Sequence, residues 1–295
     1  MDLSELDQPL LNALHDNGRL SFSALGRLLD VPRHRVERRV HELLLSDNLQ
    51  IAAQVHPAIL GLHVYCHLLI QVESSTAAVI KGLESLPEVS LISAISGDHD
   101  VAVELGAHDS RHLQDVLQSL RGLPGVRCAV ASQHIEILKS RFNAETLLTS
   151  TAPRLDARDH QLIELLRRDG RMPYGELAAE IGISPASARV RVHQLIDSGA
   201  LRITAVTSRR DAARSILMGV GLNFNGNPAP LANTVRQMTA VEFAATTIGR
   251  FDAILTMSGR SLRSLNDHLE ELRGTKGVGN IVSWVHLEVA RESYE

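Results

Sequence analysis

Arginine and histidine crowd two stretches of this chain, "RHRVERRVH" at residues 33–41 and "SPASARVRVHQLIDSG" at 184–199. In the second, Ser184 can accept from a free amide of a first helical turn and Pro185 follows where its missing donor costs nothing. Gly199 then sits where a helix would stop. Ala188, Val192, Leu195 and Ile196 recur at helical spacing and make an apolar face, which turns Ala186, Val190 and His193 outward with Arg189 and Arg191 beside them. In the first stretch Val36, Val40 and Leu43 face inward, His34, Arg38 and His41 face outward, and Arg33, Arg35, Glu37 and Arg39 lie on the flanks. A guanidinium fork matches a phosphate or the edge of a guanine, and a single helix fits the DNA major groove. The candidate contacts to double-stranded DNA are therefore Arg33, His34, Arg35, Arg38, Arg39 and His41, with Ser184, Ala186, Ser187, Arg189, Val190, Arg191 and His193. For Arg39 and Arg191, which border the buried face, an ion pair to a nearby acid weighs as much as a phosphate contact. For Arg35 and Arg38 the DNA contact weighs more.

A second pair of candidates lies in "SGDHD" and "IGRFD", which supply Gly97, Asp98 and Asp100, and Gly249, Arg250 and Asp252. As plain hairpins, these loops would use glycine for the turn and aspartate to bind neighbouring backbone amides. As a binding site, Arg250 would grip a carboxylate by a bidentate fork where the first loop has Asp98.

The elements that must hold these residues come in duplicate. A shift of 152 residues aligns the two halves without a gap over about 140 residues. It pairs Gly18 with Gly170, Arg39 with Arg191, Asp100 with Asp252, and "HIEILK" with "HLEVAR". A repeat on this scale decides the architecture. Each half opens with three helical patterns, at 3–16, "FSALGRLLD" and the arginine stretch in the first, and their counterparts from 155 in the second. That is a helix-turn-helix. The period then changes from 3.6 to 2, and strand, helix, two strands, helix, strand follow, the ferredoxin-like βαββαβ order. The fold expected is α+β, with winged-type helix-turn-helix domains at 1–50 and 154–203, ferredoxin-like (RAM-type) domains at 51–140 and 204–295, and a linker at 141–153. A ferredoxin-like sheet has a free face and free edges, so pairing of two such modules is expected.

Bulk composition narrows the class. With 295 residues, a net charge of −4 and pI near 6.4, any contact with nucleic acid has to come from local patches. Cys66 and Cys128 lack metal-ligand spacing and fit a reducing compartment. The acidic, amphipathic start and the short apolar runs point to a cytoplasmic protein without a membrane span.

Together "LDARDHQLIELLRRDGR", "ELAAEIGISPASARVRVHQLIDSGALR", "VHPAILG", "LPEVSLISAISGDHD" and "LPGV" resemble the leucine-responsive/AsnC (Lrp/AsnC) family of transcription regulators. The resemblance covers nearly the whole chain, twice. It implies a DNA-binding regulator that responds to an amino-acid-like effector near the two loops, and association through the α/β modules as a homo-oligomer. Members usually carry one copy of each domain, so this chain would hold covalently what they build from two subunits. The halves depart from the pattern in different places: Pro32 stands where the second half has Ser184, and "TSRRDAA" replaces "VHPAILG". Unequal halves predict an asymmetric DNA site.

An enzyme is the rival class, since sirohaem decarboxylases of haem biosynthesis resemble the same two-domain arrangement. Their modules look richer in aromatic residues and histidine, whereas aromatics here are 3%. His63 and His67 are four apart on an expected strand, which does not make a helical metal pair. The chain has no phosphate loop or nucleophile elbow, and no cofactor or metal is expected. A third reading, a scaffold with decayed DNA-binding helices, rests on Pro32 and is opposed by Arg33, Arg35, Arg38 and Arg39.

Overall fold

Helical caps and period-2 strands fall where the spacing places them. A computed structural model describes residues 3–45, 49–140, 155–207 and 216–292. The first half runs α1 (Leu3–Asp16), α2 (Phe22–Leu29), α3 (Arg33–Leu45), β1 (Leu49–Val55), a 3-10 turn (Pro57–Leu60), β2 (Val64–Val72), α4 (Thr76–Leu83), β3 (Val89–Ile95), β4 (Val101–Ala107), α5 (Ser110–Arg121) and β5 (Val126–Ser140). The second runs α6 (Ala157–Arg168), α7 (Tyr174–Ile181), α8 (Pro185–Asp197), β6 (Leu201–Thr207), β7 (Ile216–Phe224), α9 (Ala229–Gln237), β8 (Val241–Gly249), β9 (Ala253–Gly259), α10 (Leu262–Gly274) and β10 (Val278–Glu292). The linker expected at 141–153 lies outside the described residues.

Contacts divide the chain into two units, Met1–Ile59 with Thr151–Asp211, and Leu60–Ser150 with Ala212–Glu295. The first holds both helix-turn-helix copies. Its core is the face read from the spacing: Leu10, Leu14, Val36 and Val40 in one copy, Leu162, Leu166, Ala188 and Val192 in the other. Each fully buried aliphatic side chain contributes roughly 1.5–3 kcal/mol. The strand after each third helix pairs with its counterpart, β1 with β6 antiparallel from Leu49↔Thr207 to Val55↔Leu201. The two copies thus share one ladder, where a wing on each was expected. Boundaries at 51 and 204 would cut these strands, which belong with the helices.

Glycine is required where the helices meet this ladder. Gly18 N–H donates to the Ile203 carbonyl and Gly170 N–H to that of Ile51, both at 2.8 Å. A Cβ on either residue would come within 2.8 Å of an isoleucine methyl of the ladder.

In the second unit each ferredoxin-like module has the strand order β3-β4-β2-β5 or β8-β9-β7-β10, all antiparallel. Each module's last strand then pairs with the other's second, β5 with β8 and β10 with β3, closing an eight-stranded barrel. The pairing expected of two free sheets is met within one chain. Helices cover the outside through two apolar layers, one around Leu68, Val103 and Leu120, the other around Val220, Leu255 and Leu269. Inside the barrel sit Leu69, Ala102, Phe251, Ile254 and Trp284. Among the described residues no helix is long and apolar enough to cross a membrane.

Candidate nucleic-acid interface and effector loops

The third helices begin differently. Ser184 caps α8 by accepting from Ser187 N–H at 3.1 Å, with Pro185 in the first turn. Pro32 can offer only its carbonyl, which accepts from Arg35 and Val36 N–H at 3.0 and 3.3 Å. α3 forms regardless, because Val36, Val40 and Leu43 are buried.

The outward faces carry the candidate contacts. Arg33, His34, Arg38 and His41 are exposed on α3, and Arg35 is half-buried. Arg33 lies 3.7 Å from Glu37 and Arg38 lies 3.8 Å from Glu42. Such exposed pairs one turn apart are worth about 0.3–0.5 kcal/mol and give way readily to a phosphate. On α8, Ser184, Ala186, Ser187, Arg189, Val190 and His193 are exposed. His41 lies edge-on to Phe22 at 5.6 Å, and His193 lies 6.3 Å from Tyr174.

For Arg39 and Arg191 the structure displays the ion pair. Arg39 forks onto Asp7 at 2.6 and 2.8 Å and reaches Glu42 at 2.8 Å, while Arg191 binds Asp159 at 2.7 Å and Asp156 at 2.9 Å. Hydrogen bonds to these acids raise the pKa of both guanidinium groups. Each arginine ties its third helix to its first, so its charge is spent inside the protein.

Two arginines that sequence reasoning passed over join the copies. Arg19 donates to the carbonyls of Gly170 and Met172 and lies 4.4 Å from the Tyr174 ring centre. Arg171 donates to Gly18 and Leu20 and lies 4.8 Å from that of Phe22. Phe22 and Tyr174 therefore each stand between a histidine of the candidate interface and an arginine crossing from the other copy. The signal was present, since Arg19 and Arg171 align under the repeat shift.

The loops of the barrel unit are bound up with one another. Gly97 and Gly249 adopt φ of 117° and 152°. Asp100 accepts from Val72 N–H and Asp252 from Phe224 N–H, each at 2.8 Å, so both carboxylates hold backbone. Arg250 binds Asp98 and contacts the His99 ring at 3.0–3.1 Å, and Asp98 also binds His99 Nδ1 at 2.8 Å. The Arg250 hydrogen bond holds the Asp98 carboxyl below its usual range. One arm of the guanidinium thus binds a carboxylate of the chain's own and the other meets the His99 ring.

A polar cluster inside the barrel went unread in the sequence. His67 Nδ1 lies 2.6 Å from Glu104 Oε1, and His134 Nε2 lies 3.5 Å from Glu104 Oε2. Burial holds the pKa of His134 below its ordinary value, against the pull of Glu104. Strand register alone brings them together, with His67 opposite Glu104 across β2 and β4. Among the described residues, no group of three or more His, Cys, Asp or Glu is placed to hold a metal ion.

The chain is similar to known proteins. A model of the AsnC-type helix-turn-helix domain matches residues 3–44 and again 155–196, and one of the Lrp/AsnC ligand binding domain matches 65–143. Together the matches cover just over half of the chain. An uncharacterised HTH-type transcriptional regulator of Pyrococcus abyssi is 27% identical over 135 residues, 45% of this chain and 85% of that protein. HTH-type transcriptional regulator LysM of Sulfurisphaera tokodaii is 29% identical over 136 residues, 46% of this chain and 96% of that protein. Each relative thus spans about one half of the duplication. Among solved structures, the siroheme decarboxylase NirDL, in complex with an iron-uroporphyrin III analogue, matches 97% of this chain and 92% of its own. Its TM-score is 0.65 and its identity 15%, a likeness of fold. With two AsnC-type helix-turn-helix copies and a barrel of two ferredoxin-like modules, the chain belongs to the Lrp/AsnC family of DNA-binding regulators, in a tandemly duplicated form.

Proposed function

We propose that the chain is a sequence-specific regulator of transcription that binds double-stranded DNA through α3 and α8 and responds to a small, amino-acid-like metabolite through its barrel. The observation that carries the reading is the pair of third helices with exposed outer faces, mounted on one shared ladder. On α3 the contacts are Arg33, His34, Arg35, Arg38 and His41. On α8 they are Ser184, Ala186, Ser187, Arg189, Val190 and His193. Arg39 and Arg191 position these helices. Because the two faces differ, the DNA site is asymmetric.

A metabolite carboxylate would compete with Asp98 for Arg250, and a ligand that favours one form of the barrel shifts the population toward it. Titrating amino acids into wild type, Arg250→Ala and Asp98→Asn by calorimetry tests this. Loss of binding in the first variant and tighter binding in the second are expected, and identical affinities remove Arg250 from the site.

The DNA reading is tested by fluorescence anisotropy with the DNA upstream of the protein's own coding sequence and a scrambled duplex, at several salt concentrations. Selective binding that weakens steeply with salt is expected. Replacing Arg33, Arg35 and Arg38 together with alanine should reduce the slope of log affinity against log salt by about 2–3, and Arg189→Ala by at most about 1. Unselective, salt-independent binding would overturn it.

A further inference from the structure

We infer that the two third helices read unlike half-sites: Arg38 on α3 meets a guanine, and Val190 on α8 meets a thymine at the corresponding position. The inference rests on the DNA-binding reading. α3 and α8 run in step from Arg33 and Pro185 to Leu45 and Asp197, so Arg38 and Val190 hold one position of a common framework. Both reach solvent there, Arg38 with its side chain 58% exposed and Val190 at 56%.

Their chemistry is opposite. A guanidinium bonds both O6 and N7 of guanine in the major groove. A valine can bond neither, and the apolar group presented to it there is the methyl of thymine. Val190 lies in a shallow depression with Ala186, Ser187, Arg191 and Gln194. Ala186 precedes it by one turn, which extends the apolar strip toward the start of the helix.

The charge around each helix divides in the same way. Residues 22–45 hold five arginines against three acids, while 174–197 hold two against three. Of those two, Arg191 is bound to Asp159 and Asp156. The first copy therefore supplies most of the phosphate attraction, which fixes position without reading sequence. The second adds little charge and contributes through base contacts.

The test is selection of binding sites from a randomised duplex library by the full chain, in wild type, Arg38→Val and Val190→Arg. Both side chains are exposed, so both variants should melt with wild type. Wild type should enrich a site with two unlike halves. Arg38→Val should weaken that site roughly 10- to 100-fold and exchange the guanine of one half for thymine. Val190→Arg should bring a guanine into the other half alone. Two identical half-sites, or variants that enrich the wild-type sequence, would overturn the inference and leave DNA binding standing. Failure of wild type to enrich any sequence would overturn the DNA reading and the inference with it.

Discussion

α3 and α8 have the same length, the same place in the fold and different surfaces. Val36, Val40 and Leu43 are buried in one and Ala188, Val192 and Leu195 in the other, and both helices keep the arginine that ties them to the first helix. Divergence is greatest at outward positions, Arg33 and Arg38 on one side of the duplication against Pro185 and Val190 on the other, while the inward set changes only from Val36 to Ala188. Packing keeps the inner positions apolar, because a misplaced methylene in a dense core is felt at once. The outer positions carry no such constraint, so one framework presents two different surfaces.

Inside the barrel, by contrast, buried positions differ as well. Gly219, Thr256 and Trp284 stand 152 residues beyond His67, Glu104 and Ser132. One half lines the interior with a histidine–glutamate pair and the other with an indole seated on a glycine, since a Cβ on Gly219 would overlap Trp284. The histidine of the first half therefore does not fit at its counterpart in the second while Trp284 fills that space.

Exchanging features between the halves measures how deep the difference runs. The largest effect is expected from Gly219→His, which gives the second half the residue of the first. Overlap with Trp284 should cost about 3 kcal/mol. Trp284 is the chain's only tryptophan, so its emission should shift as well. Adding Trp284→Ser should recover part of the loss, and an unchanged denaturant midpoint in the single variant would remove the steric account.

Next come the two ties between first and third helices. Asp7 is only 6% exposed in its side chain, whereas Asp159 and Asp156 are at 15% and 52%. Arg39→Ala takes a two-pronged charged hydrogen bond from a buried carboxylate and should cost about 2–3 kcal/mol, against about 1 kcal/mol for Arg191→Ala. Equal losses in urea titrations would mean that burial of the acid does not set the cost.

The smallest effect separates the two helix starts. Ser184→Ala should lower stability by about 1 kcal/mol through loss of the bond to Ser187 N–H, and Pro32→Ser should raise it by no more than that. Thermal melts of the two variants check the pair, and a gain from Ser184→Ala would contradict the cap.

Much of the molecule was legible in the residues. A constant shift of 152 announced the duplication, the 3.6-residue period and the Ser184–Gly199 bracket placed α8, and the change to period 2 placed the strands. All of these are local patterns, carried by neighbours in the chain. The loops at 97–100 and 249–252 were legible as turns, yet the partner of Arg250 was not, because Asp98 lies in the other half of the duplication.

What the sequence by itself determined is the set of elements, their doubling and the split between inward and outward residues, since burial periodicity and capping act over a few residues. Only the tertiary structure decided which strand meets which. It drew β1 and β6 into one ladder, closed two sheets into one barrel, and brought Arg250 to Asp98 and His67 to Glu104. Strand pairing is set by backbone hydrogen bonds that any residue but proline can make, so side-chain identity alone leaves the partners open.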